Sequence, residues 1–302
     1  MDKNTNSMKI LVVDRLLKGR PHADWKEGWA IYYAGIDLGL TIDIAGLDCP
    51  ISESNIPDIA KNYDLIIVSE NYPVAEQDDG STWTWWDWQS ITTPKLFWAI
   101  DTHVVDYREF IWKGKFNYVG LNNSADIKKY SKSKLFRKSP EVFHLPLAIR
   151  KDIYSQNFCT TKETDVTFIG SLITENRRRI VQELDIKVIK AFGLEYVKQL
   201  QSSRICFNDT ISYDVNNKFF EITGAGSFLL SNSPSDDIFK LFDLDVFKNC
   251  IWKNETELKS KIHFYLENED VRESIAKVLR NHTLENHTFN NRIKQIMTQI
   301  GN

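Results

Sequence analysis

Short apolar runs alternate along the chain with longer stretches whose apolar residues recur at helical spacing. The runs at Lys9–Val13, Thr41–Ala45, Asp64–Val68, Lys95–Ile100, Asn117–Gly120 and Val142–Leu145 are apolar almost throughout. A strand reads this way when both of its faces are covered, as in a parallel sheet flanked by helices. Two helices are expected between them: Trp25–Leu38, which follows the cap-type residue Asp24, and Ser124–Ser131, which opens on a serine. A second series begins with a strand at Asp165–Gly170, a helix at Glu175–Leu184, a strand at Lys187–Lys190 and a helix at Tyr196–Gln201. It continues with a strand at Arg204–Asn208, a helix through Asn217–Thr223, a strand at Ser227–Leu230 and helices from Glu255 onward. This order predicts an α/β fold with two sheets.

Between the two series Pro146 disfavours helix, and a polar stretch runs on to Thr164. The expected division is an N-terminal domain over 1–148, a second domain over 149–286 and a terminal helix over 287–302. A chain of 302 residues, 42% hydrophobic, is long enough for two cores. In the terminal segment Phe289, Ile293, Ile296 and Ile300 form one apolar stripe, which must be buried. Packing back toward the N-terminal domain, where it would set the angle of a cleft, and packing on its own domain are both compatible with that stripe.

Charge and cysteine content narrow the class. A formal net charge of -3 draws the chain neither to nucleic acid nor to anionic membrane, although a local basic groove stays open. Cys49, Cys159, Cys206 and Cys250 are far apart, lack zinc-site spacing and are expected to be reduced. Met1–Ser7 is polar and the run Ile10–Val13 is too short for a signal sequence or membrane span, so a cytoplasmic location without a transmembrane segment is expected.

The densest chemical signal is the stretch from Asn216 to Ser231, in which a helix carrying Asn217, Lys218 and Glu221 runs through Thr223 into Gly224, Ala225 and Gly226 and then into an apolar strand. A carboxylate at the edge of a parallel sheet can accept both hydroxyls of a ribose, while a lysine and glycine amides offset diphosphate charge. In the competing reading Glu221 is a solvated helix residue and the glycines only end the helix. Spacing alone leaves both open.

Five blocks, in order, carry a resemblance: Asp165–Ser171 (DVTFIGS), the arginines Arg177–Arg179, Arg204–Asn208 (RICFN), Asn217–Glu221 (NKFFE) and His287–Arg292 (HTFNNR). Together they resemble the CgeB-like (spore maturation protein) branch of group 1 glycosyltransferases, over about residues 95 to 295. The resemblance implies a GT-B fold, two Rossmann-like domains facing across a cleft, and a nucleoside diphosphate sugar as donor. By the same resemblance Gly170, Ser171 and Arg177 join Asn217, Lys218, Glu221, Thr223, Gly224, Ala225 and Gly226 as donor-binding residues. The position of Lys218 is usually arginine in this branch; lysine keeps the charge and loses the bidentate fork.

In the N-terminal half, Asp101 and His103 follow an apolar strand, where an acid or an imidazole faces the ligand edge of a doubly wound sheet. The branch has a similar Asp-x-His segment there, which implies that Asp101, His103 and, at the phosphates, Lys218 carry the chemistry. The alternative for Asp101 is that it caps a helix over Val104–Trp112. Asp14, Arg15 and His22 occupy the loop after the first strand and are candidate acceptor contacts. So are Trp83, Trp85 and Trp86, since indole faces stack on sugars and bases, although at least two tryptophans of the cluster that ends at Trp88 are expected to pack as a lid.

No carboxylate pair presents itself for a metal, and no cofactor is expected beyond the donor. Asp243 and Asp245 lie in apolar context. A glycan, a lipid-linked sugar, a protein and a modified base in DNA all stay open as acceptors. A sugar-nucleotide epimerase of the same architecture and a non-catalytic binding protein are the competing classes.

Overall fold

The computed structural model describes residues 8–14, 26–70, 85–131, 139–159, 161–233 and 235–301, with the backbone alone for 85–87, 169 and 189. The chain divides into two compact units, one formed by Met1–Pro146 together with Phe289–Asn302, the other by Leu147–Thr288.

The first unit runs β1 (Lys9–Val13), α1 (Glu27–Asp37), β2 (Thr41–Gly46), β3 (Ile51–Ser52), α2 (Ile56–Ile59), β4 (Leu65–Ser69), α3 (Trp85–Ser90), β5 (Lys95–Ala99), α4 (Arg108–Lys113), β6 (Tyr118–Leu121), α5 (Ile127–Ser131) and β7 (Glu141–His144). The second runs α6 (Lys151–Tyr154), β8 (Thr164–Ile169), α7 (Glu175–Glu183), β9 (Lys187–Ile189), α8 (Gly193–Gln201), β10 (Ser203–Asn208), α9 (Lys218–Ala225), β11 (Phe228–Asn232), α10 (Asp237–Leu241), β12 (Ile251–Trp252), α11 (Glu255–Glu267) and α12 (Glu269–Asn286). The last helix, α13 (Phe289–Ile300), returns to the first unit.

In the first unit seven parallel strands lie in the order β3-β2-β1-β4-β5-β6-β7. Successive side chains of a strand point to opposite faces. Leu11, Val13, Ile66, Val68, Phe97 and Ala99 join Trp88, Tyr107, Ile111 and Phe116 in one core on the first face. On the other face Ile10, Val12, Leu65 and Ile67 are just as buried. Burial on both faces is why these strands read as apolar runs and not as alternations.

Helix α13 packs on α1 within this unit. Phe289, Ile293 and Ile296 are buried, and the Phe289 ring sits 5.8 Å from that of Trp98. Polar ties flank the stripe: Asn290 Nδ2 donates to Asp37 Oδ2 at 2.6 Å, Arg292 Nε to the Pro146 carbonyl at 2.7 Å and Gln295 Nε2 to that of His144 at 2.7 Å.

The second unit holds five parallel strands in the order β12-β11-β10-β8-β9. Helix α9 packs between α8 and α12. Its small residues allow close approach: a Cβ on Gly224 would overlap Ile149, and Thr223 Oγ1 meets Thr283 Oγ1 at 2.8 Å. Gly226 ends the helix at φ +83°, a left-handed conformation that favours glycine.

Several expected helices begin elsewhere: that expected from Tyr196 starts at Gly193 and that expected from Ser124 becomes α-helical at Ile127. The one expected at Trp25 starts at Glu27, and its second amide is capped from another element, the Asp14 carboxylate; Asp24 lies outside the described residues. The helix expected from Val104 starts at Arg108, because Asp101 closes a turn instead, its carbonyl accepting the amides of Val104 and Val105 at 3.0 and 2.9 Å. Of the four cysteines, Cys206 and Cys250 are buried and Cys49 and Cys159 half-buried, all as free thiols.

Candidate functional site

In a doubly wound sheet, connections from two neighbouring strands leave toward opposite faces at one point, and ligands bind there, outside the carboxyl ends of the strands. In the second unit that point lies between β8 and β10, neighbours in the order given above. Gly170 follows β8 with φ +146°, a conformation strained for any side chain, and a Cβ there would stand 3.2 Å from Lys218 Cε. The Lys218 side chain, from the first turn of α9, therefore lies directly across the bare Gly170 backbone. A cation and a side-chain-free turn meet at the ligand edge.

Arg177 is tied up differently. It is buried, its Nη1 donates to the Ser171 carbonyl at 2.7 Å, its Nε to Asp209 Oδ2 at 3.3 Å and its Nη2 to the Asp209 carbonyl at 2.5 Å. Its guanidinium also stacks over the Phe168 ring, 5.3 Å from the centroid. Thr174 caps α7 by accepting the Arg177 amide. Arg177 thus clamps the loop after β8 to the end of β10 and holds Gly170 and Ser171 in place. Burial lifts the Asp209 carboxyl above its ordinary range although Arg177 pulls it down, so desolvation outweighs the ion pair.

Around this clamp lies a polar network that the sequence reading passed over. Asn232 Nδ2 donates to Asp209 Oδ1 at 3.2 Å and its Oδ1 accepts the Thr210 amide at 2.7 Å, while Asn208 Nδ2 reaches Ser231 Oγ at 3.1 Å and Asn216 Oδ1 at 3.3 Å. Asn208 and Asn232 end strands and Ser231 directly follows an apolar run, which was the available signal. Glu221 Oε1 accepts from Asn217 Nδ2 at 2.9 Å, and Oε2 accepts from the Tyr196 hydroxyl. Burial, and next the Glu221 charge, pushes the Tyr196 phenol far up, so it remains a donor. One turn before Tyr196, Phe192 stands 57% exposed at the start of α8.

The strands being parallel, α9 runs from the carboxyl end of β10 to the amino end of β11. Asn217, Lys218 and Glu221 therefore sit nearer the ligand edge, whereas Thr223, Gly224, Ala225 and Gly226 follow toward the opposite edge, which Gly226 approaches roughly 12 Å along the helix. Thr223 is fully buried and bonds back to the Phe219 carbonyl at 2.6 Å, and Arg280 Nε donates to the Gly224 carbonyl at 3.3 Å. These four build the helix packing. A cavity of about 470 Å³, lined by Thr164, Lys187, Lys198 and Ser202 among others, also opens at the amino ends of the strands, away from the clamp.

In the first unit the equivalent point lies between β1 and β4. Asp14, directly after β1, is fully buried and its Oδ2 accepts the Gly28 amide at 2.9 Å, so it holds α1 against the sheet. Asp101 is exposed beyond β5 and His103 half-buried in the turn that follows. Glu70, directly after β4, was not singled out in the sequence. Its carboxylate accepts the amides of Ile100 and, at 2.8 Å, Asp101. Arg15, His22 and Trp83 lie outside the described residues, as do the side chains of Trp85 and Trp86. Trp88, in the same cluster, is wholly buried in the core.

Among the described residues no group of three or more His, Cys, Asp or Glu side chains is arranged to hold a metal, and no helix is long and apolar enough to cross a membrane.

No curated protein matches the chain in sequence. Residues 161–298 match the family described as glycosyl transferase-like. Among solved structures, an α-glucosyltransferase in complex with UDP-glucose and DNA containing an abasic site is 10% identical, with a TM-score of 0.65 over 98% of this chain and all of the other. The T4 phage β-glucosyltransferase (BGT) with its UDP-glucose substrate is 12% identical, with a TM-score of 0.63 over 97% of this chain and 98% of the other. HepE from Anabaena with UDP and glucose is 11% identical, with a TM-score of 0.60 over 97% and 99%. Residues 161–298 are thus a glycosyl transferase-like segment, set in a chain that has the GT-B glycosyltransferase fold over nearly its whole length.

Proposed function

We propose that the protein transfers a sugar from a uridine diphosphate sugar to a hydroxyl acceptor, the second unit binding the donor and the first supplying the base. The observation that carries this reading is the meeting of Lys218 with the bare Gly170 turn at the β8/β10 point, one helical turn from Glu221. In this reading the diphosphate lies against the Gly170 and Ser171 amides, with Lys218 balancing its charge in place of a metal. Glu221, backed by Tyr196, takes the ribose hydroxyls, and the exposed Phe192 ring receives the base. Arg177 and Asp209 hold this frame without touching the donor. Uridine as the base rests on the UDP complexes of the structural neighbours. The CgeB-like branch, a cytoplasmic location and the absence of any cofactor besides the donor belong to the same proposal.

In the reaction the acceptor oxygen forms a bond to the anomeric carbon while the bond from that carbon to the diphosphate oxygen breaks. The hydroxyl proton passes to Asp101, with His103 the neighbouring imidazole, and the leaving diphosphate keeps the electron pair. Glycan, lipid-linked, protein and modified-DNA hydroxyls are all candidate acceptors; two neighbours were solved with DNA.

Calorimetric titration with UDP tests the donor half. Lys218→Ala and Glu221→Ala should each weaken UDP binding by about 1.5–3 kcal/mol, the range for hydrogen bonds to charged groups. Unchanged affinity in both folded variants overturns the site. Turnover of UDP-glucose to another sugar nucleotide without acceptor would make the protein an epimerase, and binding with neither transfer nor donor hydrolysis would make it a non-catalytic binder.

A further inference from the structure

We propose that Glu70 is the positioning residue for the base: its carboxyl group grips the two amides that carry Asp101 and so fixes the backbone from which Asp101 meets the acceptor hydroxyl. The proposal rests on the reading of Asp101 as the base.

The geometry follows from the sheet. Strands β4 and β5 pair in parallel with Ser69 opposite Trp98, so Glu70 emerges beside the end of β5. There it bridges outward, its Oε2 accepting the amides of Ile100 and Asp101. These two amides have left the strand ladder, and one carboxylate oxygen satisfies both. The Asp101 carbonyl in turn closes the 101–105 turn. Glu70 therefore sets the backbone from which the exposed Asp101 side chain projects.

Glu70 itself is 7% exposed. Among the described residues the groups that face it are Asp101, Glu27 and the hydroxyl of Tyr107, whose own amide donates to Tyr130 Oη at 3.1 Å. Neither of the two charged groups is a cation, and burial first, then the Asp101 charge, pushes the Glu70 carboxyl up to about 8. At neutral pH Glu70 holds a proton. Deprotonation of Glu70 above pH 8 places a buried anion beneath the turn that carries Asp101.

Hydrolysis of UDP-glucose, with water as the acceptor, gives a readout that needs no acceptor identity. Glu70→Ala should lower kcat by ten- to a hundredfold, as expected for a reacting group displaced by about an ångström, with UDP affinity unchanged. Glu70→Gln keeps an oxygen for both amides and should retain kcat within about threefold, but lack the alkaline fall near pH 8 expected of the unaltered protein. If Glu70→Ala hydrolyses at the full rate, or Glu70→Gln keeps the fall near pH 8, the proposal is overturned. Should Glu70→Ala not fold, the Glu70→Gln profile decides alone. Asp101→Asn separates the two readings: full activity there removes Asp101 as the base, whereas an inactive Asp101→Asn beside a fully active Glu70→Ala removes only the positioning role.

Discussion

Removing the Arg177 side chain tests whether the β8/β10 clamp holds the donor site together. The guanidinium is buried and makes three hydrogen bonds, two of them to Asp209, which is itself only 8% exposed. Arg177→Ala leaves that carboxylate in a dry site with Asn232 as its remaining partner among the contacts described. Breaking one partner out of a buried ion pair costs about 3–5 kcal/mol. The penalty depends on pH with a definite sign. Burial already raises Asp209, and loss of Arg177 removes the influence that lowers it. The folded-state value therefore rises further above the unfolded one, and the penalty, full at neutral pH, shrinks as the pH falls and the carboxyl takes up a proton. Urea unfolding read by hydrogen exchange in the β8 and β10 segments isolates the second unit. Arg177→Ala should lower its stability by about 3–5 kcal/mol at pH 7 and weaken UDP binding with it, and Asp209→Asn in the same chain should restore part of the loss. A penalty below about 1 kcal/mol, or one of equal size in the Asp209→Asn background, refutes the clamp.

Other expectations follow from single contacts. Gly170→Ala puts a Cβ against Lys218 at a φ of +146°, so it should cost about 1–3 kcal/mol of stability and reduce UDP affinity in calorimetry. Because Glu70 rises from 4.5 to about 8 on folding, the native state holds the extra proton between those values, and stability should fall as pH rises through that window. The fall by pH 7 is about 3 kcal/mol at 1.36 kcal/mol per unit, and it should flatten in Glu70→Gln; equal slopes in thermal unfolding would contradict it. Ile293→Ala, on the buried stripe of α13, should destabilise the first unit by about 2–5 kcal/mol while leaving UDP affinity intact. Transfer should persist in excess chelator, since Lys218 and turn amides supply the positive charge; loss of activity restored by manganese would reverse that mechanism.

The fold class was legible because a parallel strand covered on both faces leaves a local mark. Lys9–Val13 is recovered residue for residue, and Arg204–Asn208 and Lys95–Ile100 within one position at an end. The two-residue strands β3 and β12 left no such mark. Pairing to a neighbour, and not their own composition, makes them strands.

The candidate site was legible only where a residue stands at a strand's carboxyl end or at the start of the helix beyond it. Gly170, Lys218, Glu221 and Asp101 are of this kind, and the same rule applied to Asp209 and Glu70 would have found the clamp and the second carboxyl. The sequence by itself determined which segments are strands and helices, since hydrophobic period is a property of neighbours in the chain. It also determined that a cation, a carboxylate and a glycine turn lie within one stretch. Only the tertiary structure decided which end of α9 meets the ligand edge, because that depends on strands being parallel across a crossover. It likewise decided that Arg177 ties two loops together and that Asp14 caps a helix, since burial and partners some 14 to 32 residues away are set by packing, and a local pattern carries no record of them.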